Sequence, residues 1–246
     1  MPTMENSNKG ERIAKVIARA GVCSRREAEK LIDQGRISLN GKDVTTPATL
    51  VTGTDVITFD GEKIGKADKT RLWVYYKPTG LICSNKDDQG RKTIFSTFPP
   101  YMPRVLTVGR LDLNSEGLLL LTNDGNLSRQ LELPANNFKR TYRVRVFGKV
   151  HDHLLKSLKD GRTVEGVRYG SIDARLDKQE SANAWLSVTI TEGKNREVRK
   201  VMEDIGLTVN RLIRVSYGDF HLGELKKGQI QEVAPAMIKE KLGKFL

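Results

Sequence analysis

Val105-Leu106-Thr107-Val108-Gly109-Arg110-Leu111-Asp112 is followed, after Ser115-Glu116-Gly117, by Leu118-Leu119-Leu120-Leu121 and then Asn123-Asp124-Gly125. Both apolar runs are short and bounded by turn residues, so the stretch predicts two strands joined by a short loop, the second closed by a turn at Asn123-Asp124-Gly125. The loop carries Asp112. A rigid sheet on either side holds such a side chain in a fixed position while leaving it reachable. Taken alone, the residue reads first as a turn former, because aspartate bonds its own backbone in loops.

Outward from this core, Leu72 to Tyr76 is a further β-rich run, ending at Lys77-Pro78-Thr79-Gly80. Tyr142, Val144 and Val146 alternate with Thr141, Arg143 and Arg145, giving a strand with one apolar and one basic face. Leu154, Leu155 and Leu158 before Gly161, and Val198, Val201, Met202 and Ile205 before Gly206, mark helices. Strands interrupted by single helices, without regular βαβ alternation, predict an α+β domain with a mixed, largely antiparallel sheet over residues 72–246.

A smaller unit precedes it. Ile13, Val16, Ile17 and Ala20 keep helical spacing, and Gly21 suits the stop. Ser24 with Glu27 forms a capping box for a second helix carrying Ala28, Leu31 and Ile32 inward, which Gly35 ends. Ile37 and Leu39, an Asn40-Gly41 hairpin turn, Val44, then Val56 to Phe59 and an Asp60-Gly61 turn follow as short strands. The unit is ααβ-like over residues 11–66. Ile64 to Arg71 is polar and reads as the linker, and residues 1–10 as a disordered polar tail.

The 246 residues carry 42 Lys and Arg against 30 Asp and Glu, a formal charge of +12 that favours a polyanionic partner. No apolar run reaches the roughly 18 residues of a membrane span, and Met1 to Gly10 lacks the apolar stretch of a signal peptide. With Cys23 and Cys83 as the only cysteines, a reduced, cytoplasmic protein is expected. His151, His153 and His221 show no ligand spacing, so no metal site is expected. No glycine-rich loop follows a strand as a nucleotide-cofactor site would require, which argues against a methyltransferase.

The segment Arg12 to Gly61, with its Ala20-Gly21-Val22-Cys23-Ser24-Arg25-Arg26 turn and Ile37-Ser38-Leu39-Asn40-Gly41 hairpin, resembles the S4 RNA-binding domain. That domain docks a basic helix pair on structured RNA, which makes Arg12, Lys15, Arg19, Arg25, Arg26 and Lys30 the RNA-binding candidates. A merely solvated basic face is the alternative. Four further motifs follow: Lys77-Pro78-Thr79-Gly80; Gly109-Arg110-Leu111-Asp112 with Ser115-Glu116-Gly117-Leu118-Leu119; Lys139-Arg140-Thr141-Tyr142; and Glu192-Gly193-Lys194-Asn195-Arg196-Glu197-Val198-Arg199. In this order they resemble the RsuA/RluB/RluE/RluF family of pseudouridine synthases, and the likeness runs from Arg12 to about Val233.

The resemblance implies an enzyme that isomerises uridine in ribosomal RNA without a cofactor. It makes Asp112 the nucleophile and Arg199 the basic neighbour that favours its charged form. A surface pair of Arg199 with Glu203 is the alternative. Tyr142 would stack on the extruded base, or else be a core tyrosine. Arg110 would hold the extruded nucleotide's place in the RNA, and Leu212 would line the pocket or simply pack. Lys77-Pro78 would support the pocket, and Lys139 and Arg140, with Arg143, Arg145 and Lys149, would form a phosphate-facing strip along the cleft. Asn195-Arg196-Glu197-Val198-Arg199 is more like the RluB branch than branches with His-Gln there. The expected partner is therefore 23S ribosomal RNA, free or in an assembling subunit, met by a monomer. The alternatives are the 16S branch and a non-catalytic S4-type ribosome-binding protein. The latter has no reason to keep Asp112, Tyr142 and Arg199 together.

Overall fold

The computed structural model describes residues 10–85, 87 and 89–246. The tail expected at residues 1–10 thus lies, Gly10 apart, outside the described residues. The chain divides into two compact units, Met1–Thr70 and Arg71–Leu246.

In the first unit β1 (Glu11–Arg12) leads into α1 (Ile13–Arg19) and α2 (Arg25–Asp33). The strands β2 (Ile37–Leu39), β3 (Lys42–Asp43), β4 (Leu50–Val51), β5 (Ile57–Phe59) and β6 (Glu62–Lys63) follow. The helices form where apolar spacing and caps agree: Ile13, Ala14, Ile17, Ala28 and Ile32 are buried, and Ser24 Oγ accepts from Glu27 N at 3.2 Å. Both hairpin turns need positive φ at two successive residues, and the sequence provides it with Asn40-Gly41 (51° and 78°) and Asp60-Gly61 (50° and 83°). The resulting sheet has the order β3-β2-β5-β6.

The second unit contains β7 (Leu72–Lys77), β8 (Leu106–Val108), β9 (Glu116–Thr122), α3 (Gly125–Glu132), β10 (Arg140–Phe147) and α4 (Asp152–Ser157). After these come β11 (Arg162–Val164), β12 (Val167–Tyr169), β13 (Asp173–Glu180), β14 (Asn183–Ile190), α5 (Glu197–Asp204), β15 (Thr208–Tyr217), β16 (Phe220–His221), β17 (Ile230–Glu232) and α6 (Pro235–Leu242). Among the described residues the main sheet has nine strands in the order β13-β14-β10-β15-β9-β7-β17, with β16 on β15 and β8 on β9. Its pairs are antiparallel except β9 with β15, where Glu116 faces Ile213 and Gly117 faces Arg214.

Strand β9 is buried along its whole length. Leu119 and Leu121 face one core with Tyr75, Val144 and Leu186, while Leu118 and Leu120 face another with Leu127, Leu131, Ile238 and Leu242. Layers on both faces explain why the run is apolar without alternation. At the parallel junction a Cβ on Gly117 would stand 2.3 Å from Arg214 O, and its φ of +107° suits glycine alone.

The turn expected at Asn123-Asp124-Gly125 is instead the start of α3. The Asp124 carboxylate accepts from Asn126 N at 2.8 Å and Leu127 N at 3.3 Å, as an N-cap does. Strands β13 and β14 and helix α6 were not picked out from the sequence, although Ala184, Leu186, Val188 and Ile190 alternate along β14 and Pro235 opens α6.

Candidate active site

Asp112 lies in the loop between β8 and β9, and the loop is held from below. Lys77, fully buried at the end of β7, donates from Nζ to Pro78 O (3.0 Å), Asp112 O (3.1 Å) and Ser115 O (2.9 Å). Ser115 N closes the turn onto Asp112 O at 3.0 Å, and Gly80 N donates to Leu113 O at 2.9 Å. Burial lowers the Lys77 pKa, while the charges of Cys83, Asp112 and Glu116 work against that shift. The lysine thus fixes the backbone beneath the carboxylate and leaves the carboxylate itself free to act.

That carboxylate, 32% exposed, opens into a cleft of about 350 Å³. Arg110, Tyr142, Ile190, Glu192, Arg196 and Leu212 are among its lining residues. Tyr142 and Leu212 are buried in its wall and Arg110 is exposed. A reachable carboxylate facing a flat aromatic ring and an aliphatic wall suits a planar base next to a sugar carbon.

The two arginines of the α5 motif divide their work differently from the expectation. Arg196 makes an ion-pair contact with the carboxylate, its Nη1 4.0 Å from Asp112 Oδ2, while Arg199 stands near enough for the Asp112 charge to act on it. Arg196 makes its contact from a left-handed backbone (φ 51°, ψ 28°) at the N-cap of α5, which turns its side chain off the helix. Arg199 does not line the cleft. It donates to Asn114 O at 2.8 Å and Val209 O at 3.2 Å, bracing the Asp112 loop against β15. Burial lowers the Arg199 pKa, the like charge of Arg196 adds to this, and Asp112 opposes it.

The phosphate-facing strip also needs correction. Consecutive strand residues point to opposite faces, so β10 sends Arg140 into the cleft wall and Arg143 out to solvent. Arg140 is 7% exposed, donating to Thr191 O (2.6 Å), Glu192 O (3.0 Å) and Tyr217 Oη (2.7 Å). Arg143 instead lies 4.8 Å over the Trp185 ring, and Lys139 is exposed just before the strand. In the first unit Arg12 belongs to β1 and stands at the N-cap position of α1, without a capping side-chain bond, rather than on the helix face. Lys15 pairs with Glu11, Arg19 donates to Thr70 Oγ1 at 3.2 Å, and Arg25, Arg26 and Lys30 are exposed.

Glu132, Pro134, Ile190, Arg214 and Tyr217 line the cleft but escaped the sequence analysis, and Glu197 appeared there only as a member of a motif, with no role. Arg214 follows Leu212 by two on β15, so strand periodicity could have placed it on the same face. Glu197 is 3% exposed, and its Oε2 accepts from Lys194 N at 2.8 Å. Burial, reinforced by the charge of Glu192 and opposed by the Lys194 bond, pushes its pKa up to about 7. Among the described residues no group of three or more His, Cys, Asp and Glu side chains is placed to hold a metal ion.

Comparison with known proteins agrees with this arrangement. Residues 71–204 match the RNA pseudouridylate synthase family model and residues 11–57 the S4 domain model. An uncharacterized RNA pseudouridine synthase of Rickettsia felis is 49% identical over 223 residues, covering 91% of this chain and 96% of that one. The ribosomal large subunit pseudouridine synthase B of Yersinia pestis is 42% identical over 219 residues, covering 87% of this chain and 69% of that one. A crystal structure of a pseudouridylate synthase superposes with a TM-score of 0.66 at 28% identity, covering 94% of this chain and 99% of that one. A cleft with a reachable aspartate, in a chain that carries an S4 domain earlier in its sequence and is this similar over nearly its whole length, identifies a member of the RNA pseudouridine synthase family.

Proposed function

We propose that this enzyme converts one specific uridine of 23S ribosomal RNA to pseudouridine, with Asp112 as the nucleophile. The observation that carries the reading is the Asp112 carboxylate, reachable in its cleft, 4.0 Å from Arg196 and carried on backbone that Lys77 clamps. Uridine must leave the RNA stack to reach such a group. The Tyr142 ring then replaces stacking lost by the base, and Leu212 closes the apolar wall. Arg110, exposed beside the cleft, holds the strand where the nucleotide has left, while Arg196 and Arg199 act on the carboxylate and its loop. Exposed Arg25, Arg26 and Lys30 and the charge of +12 support ribosomal RNA as the partner, free or in an assembling subunit. The large-subunit assignment rests on relatives such as the Yersinia pestis protein, named for that subunit.

Carbodiimide mapping of pseudouridines by primer extension, in cells lacking the protein, should show one missing modification in 23S RNA. Wild-type protein should restore it and Asp112→Asn should not, since an amide cannot act as the anionic nucleophile. Restoration by Asp112→Asn would refute the assignment of the nucleophile. An unchanged map would refute the substrate.

A further inference from the structure

Three residues lining the cleft carry buried polar atoms without a hydrogen-bond partner among the described residues: Ser115 Oγ, Glu197 Oε1 and Arg214 Nη2. Only the arginine brings a permanent charge. Arg214 is 2% exposed, its Nε donates to Leu118 O at 2.7 Å, and its guanidinium lies 5.2 Å over the Tyr217 ring. Among the described residues it has no ion pair, and the buried Glu116 is held by Arg211 and Lys227. A second buried cation, Lys77, is close enough that Arg214 disfavours its charge. Desolvating an ion costs several kcal/mol unless it is well paired, so holding up the Leu118 carbonyl is a poor reason to bury a guanidinium here.

The position suggests the reason. Tyr142 and Arg214 are register partners across β10 and β15, and Leu212 shares the Arg214 face of β15. A uracil stacked on Tyr142 therefore has Arg214 beside it.

We infer that Arg214 is a further catalytic residue, whose unpartnered Nη2–H donates to a uracil carbonyl oxygen once the base has detached. The inference rests on the isomerisation proposed above. As the Asp112 carboxylate bonds to C1′, the N1–C1′ bond breaks with its electron pair left on the base, and the charge spreads to O2 and O4. The base then turns, C5 bonds to C1′ as the Asp112–C1′ bond breaks and frees the carboxylate, the C5 proton is lost and N1 gains one, so no atom enters or leaves overall. Between the two bond changes the cleft holds a uracil anion. A fixed cationic donor in a site poor in water stabilises charge as it develops.

The test compares wild type with Arg214→Gln and Arg214→Lys in single turnovers on a ribosomal RNA fragment, at saturating enzyme. The target position carries uridine or 5-fluorouridine, and RNA affinity and Tm are measured alongside. Arg214→Gln should bind RNA normally and consume uridine about 100-fold more slowly, as the loss of one such donor does elsewhere. Arg214→Lys should fall between. Fluorine at C5 stabilises the uracil anion without help from the protein. The deficit on 5-fluorouridine should therefore be smaller, since an anion already stabilised needs the donor less; lacking a C5 proton, this substrate reports N1–C1′ cleavage and rejoining at C5 rather than the final proton transfer. No deficit, an equal deficit on both substrates, or a loss explained by affinity would overturn the assignment. If neither variant folds, a structure of wild type bound to 5-fluorouridine RNA decides. Arg214 Nη2 bonded to O2 or O4 supports the assignment, and a base seated without that bond overturns it. Wild type that turns over no ribosomal uridine would overturn the reaction and this role together, a result distinct from any contrast between variants.

Discussion

Replacing Lys77 with methionine tests whether the clamp beneath Asp112 sets both stability and rate. Methionine nearly fills the lysine space but cannot donate. The carbonyls of Pro78, Asp112 and Ser115, now 3.0, 3.1 and 2.9 Å from Nζ, lose their shared cation. Hydrogen bonds to a charged group contribute about 1.5–3 kcal/mol each. The buried ammonium pays several kcal/mol of desolvation that methionine avoids. With the Asp112 and Ser115 carbonyls left short of a donor, the net loss should be about 3 kcal/mol, in the range of deletions from buried networks. Loosening the loop by about an ångström should also slow the chemistry about 100-fold. Urea unfolding followed by tryptophan fluorescence gives the first number, and single turnover at saturating RNA the second. Wild-type stability together with a wild-type rate would refute the clamp.

Three further substitutions probe the neighbouring contacts, and a fourth the packing of the sheet. Arg196→Ala should slow turnover about tenfold with little change in Tm, because its pair with Asp112 is half-exposed. Arg199→Ala should cost about 2 kcal/mol through its two carbonyl bonds, and the opposite ranking in denaturation would reverse these roles. Glu197 has its folded pKa raised from 4.5 to about 7, so the folded state holds a proton that the unfolded chain has lost in that interval. Its contribution is full below pH 4.5 and falls away as pH rises to 7, by on the order of 3 kcal/mol. The stability of Glu197→Gln relative to wild type should therefore grow between pH 5 and 8, as read by urea titrations, and a flat difference would sink the idea. Gly117→Ala should leave no folded protein by circular dichroism, since its Cβ would sit 2.3 Å from Arg214 O at a φ of +107°; a stable variant would contradict the close β9–β15 approach.

Features set by neighbours along the chain are legible in the sequence itself. The Ser24 cap, the Asn40-Gly41 and Asp60-Gly61 turns and the loop carrying Asp112 all follow from side chains acting within a few residues. The α+β class can be read for the same reason, since turn residues and apolar runs mark the ends of its elements, whereas the pseudouridine synthase motifs are read by resemblance to a known family. Asn123-Asp124-Gly125 misleads because one aspartate chemistry serves both turns and helix caps. Strand β13 gives no signal, being an edge strand exposed along nearly all of its length.

The sequence alone determined the α+β class, the Asp112 loop and the apolar faces flanking it. Only the tertiary structure decided which cation meets Asp112, because the left-handed turn at Arg196 and the docking of α5 on β15 set the aim of two arginines three residues apart. It alone decided, too, that Arg140 and Arg214 stand in the cleft wall. Local sequence assigns a guanidinium to solvent, whereas β10 beside β15, and β15 parallel to β9, surround these two with carbonyls and an aromatic ring drawn from distant parts of the chain.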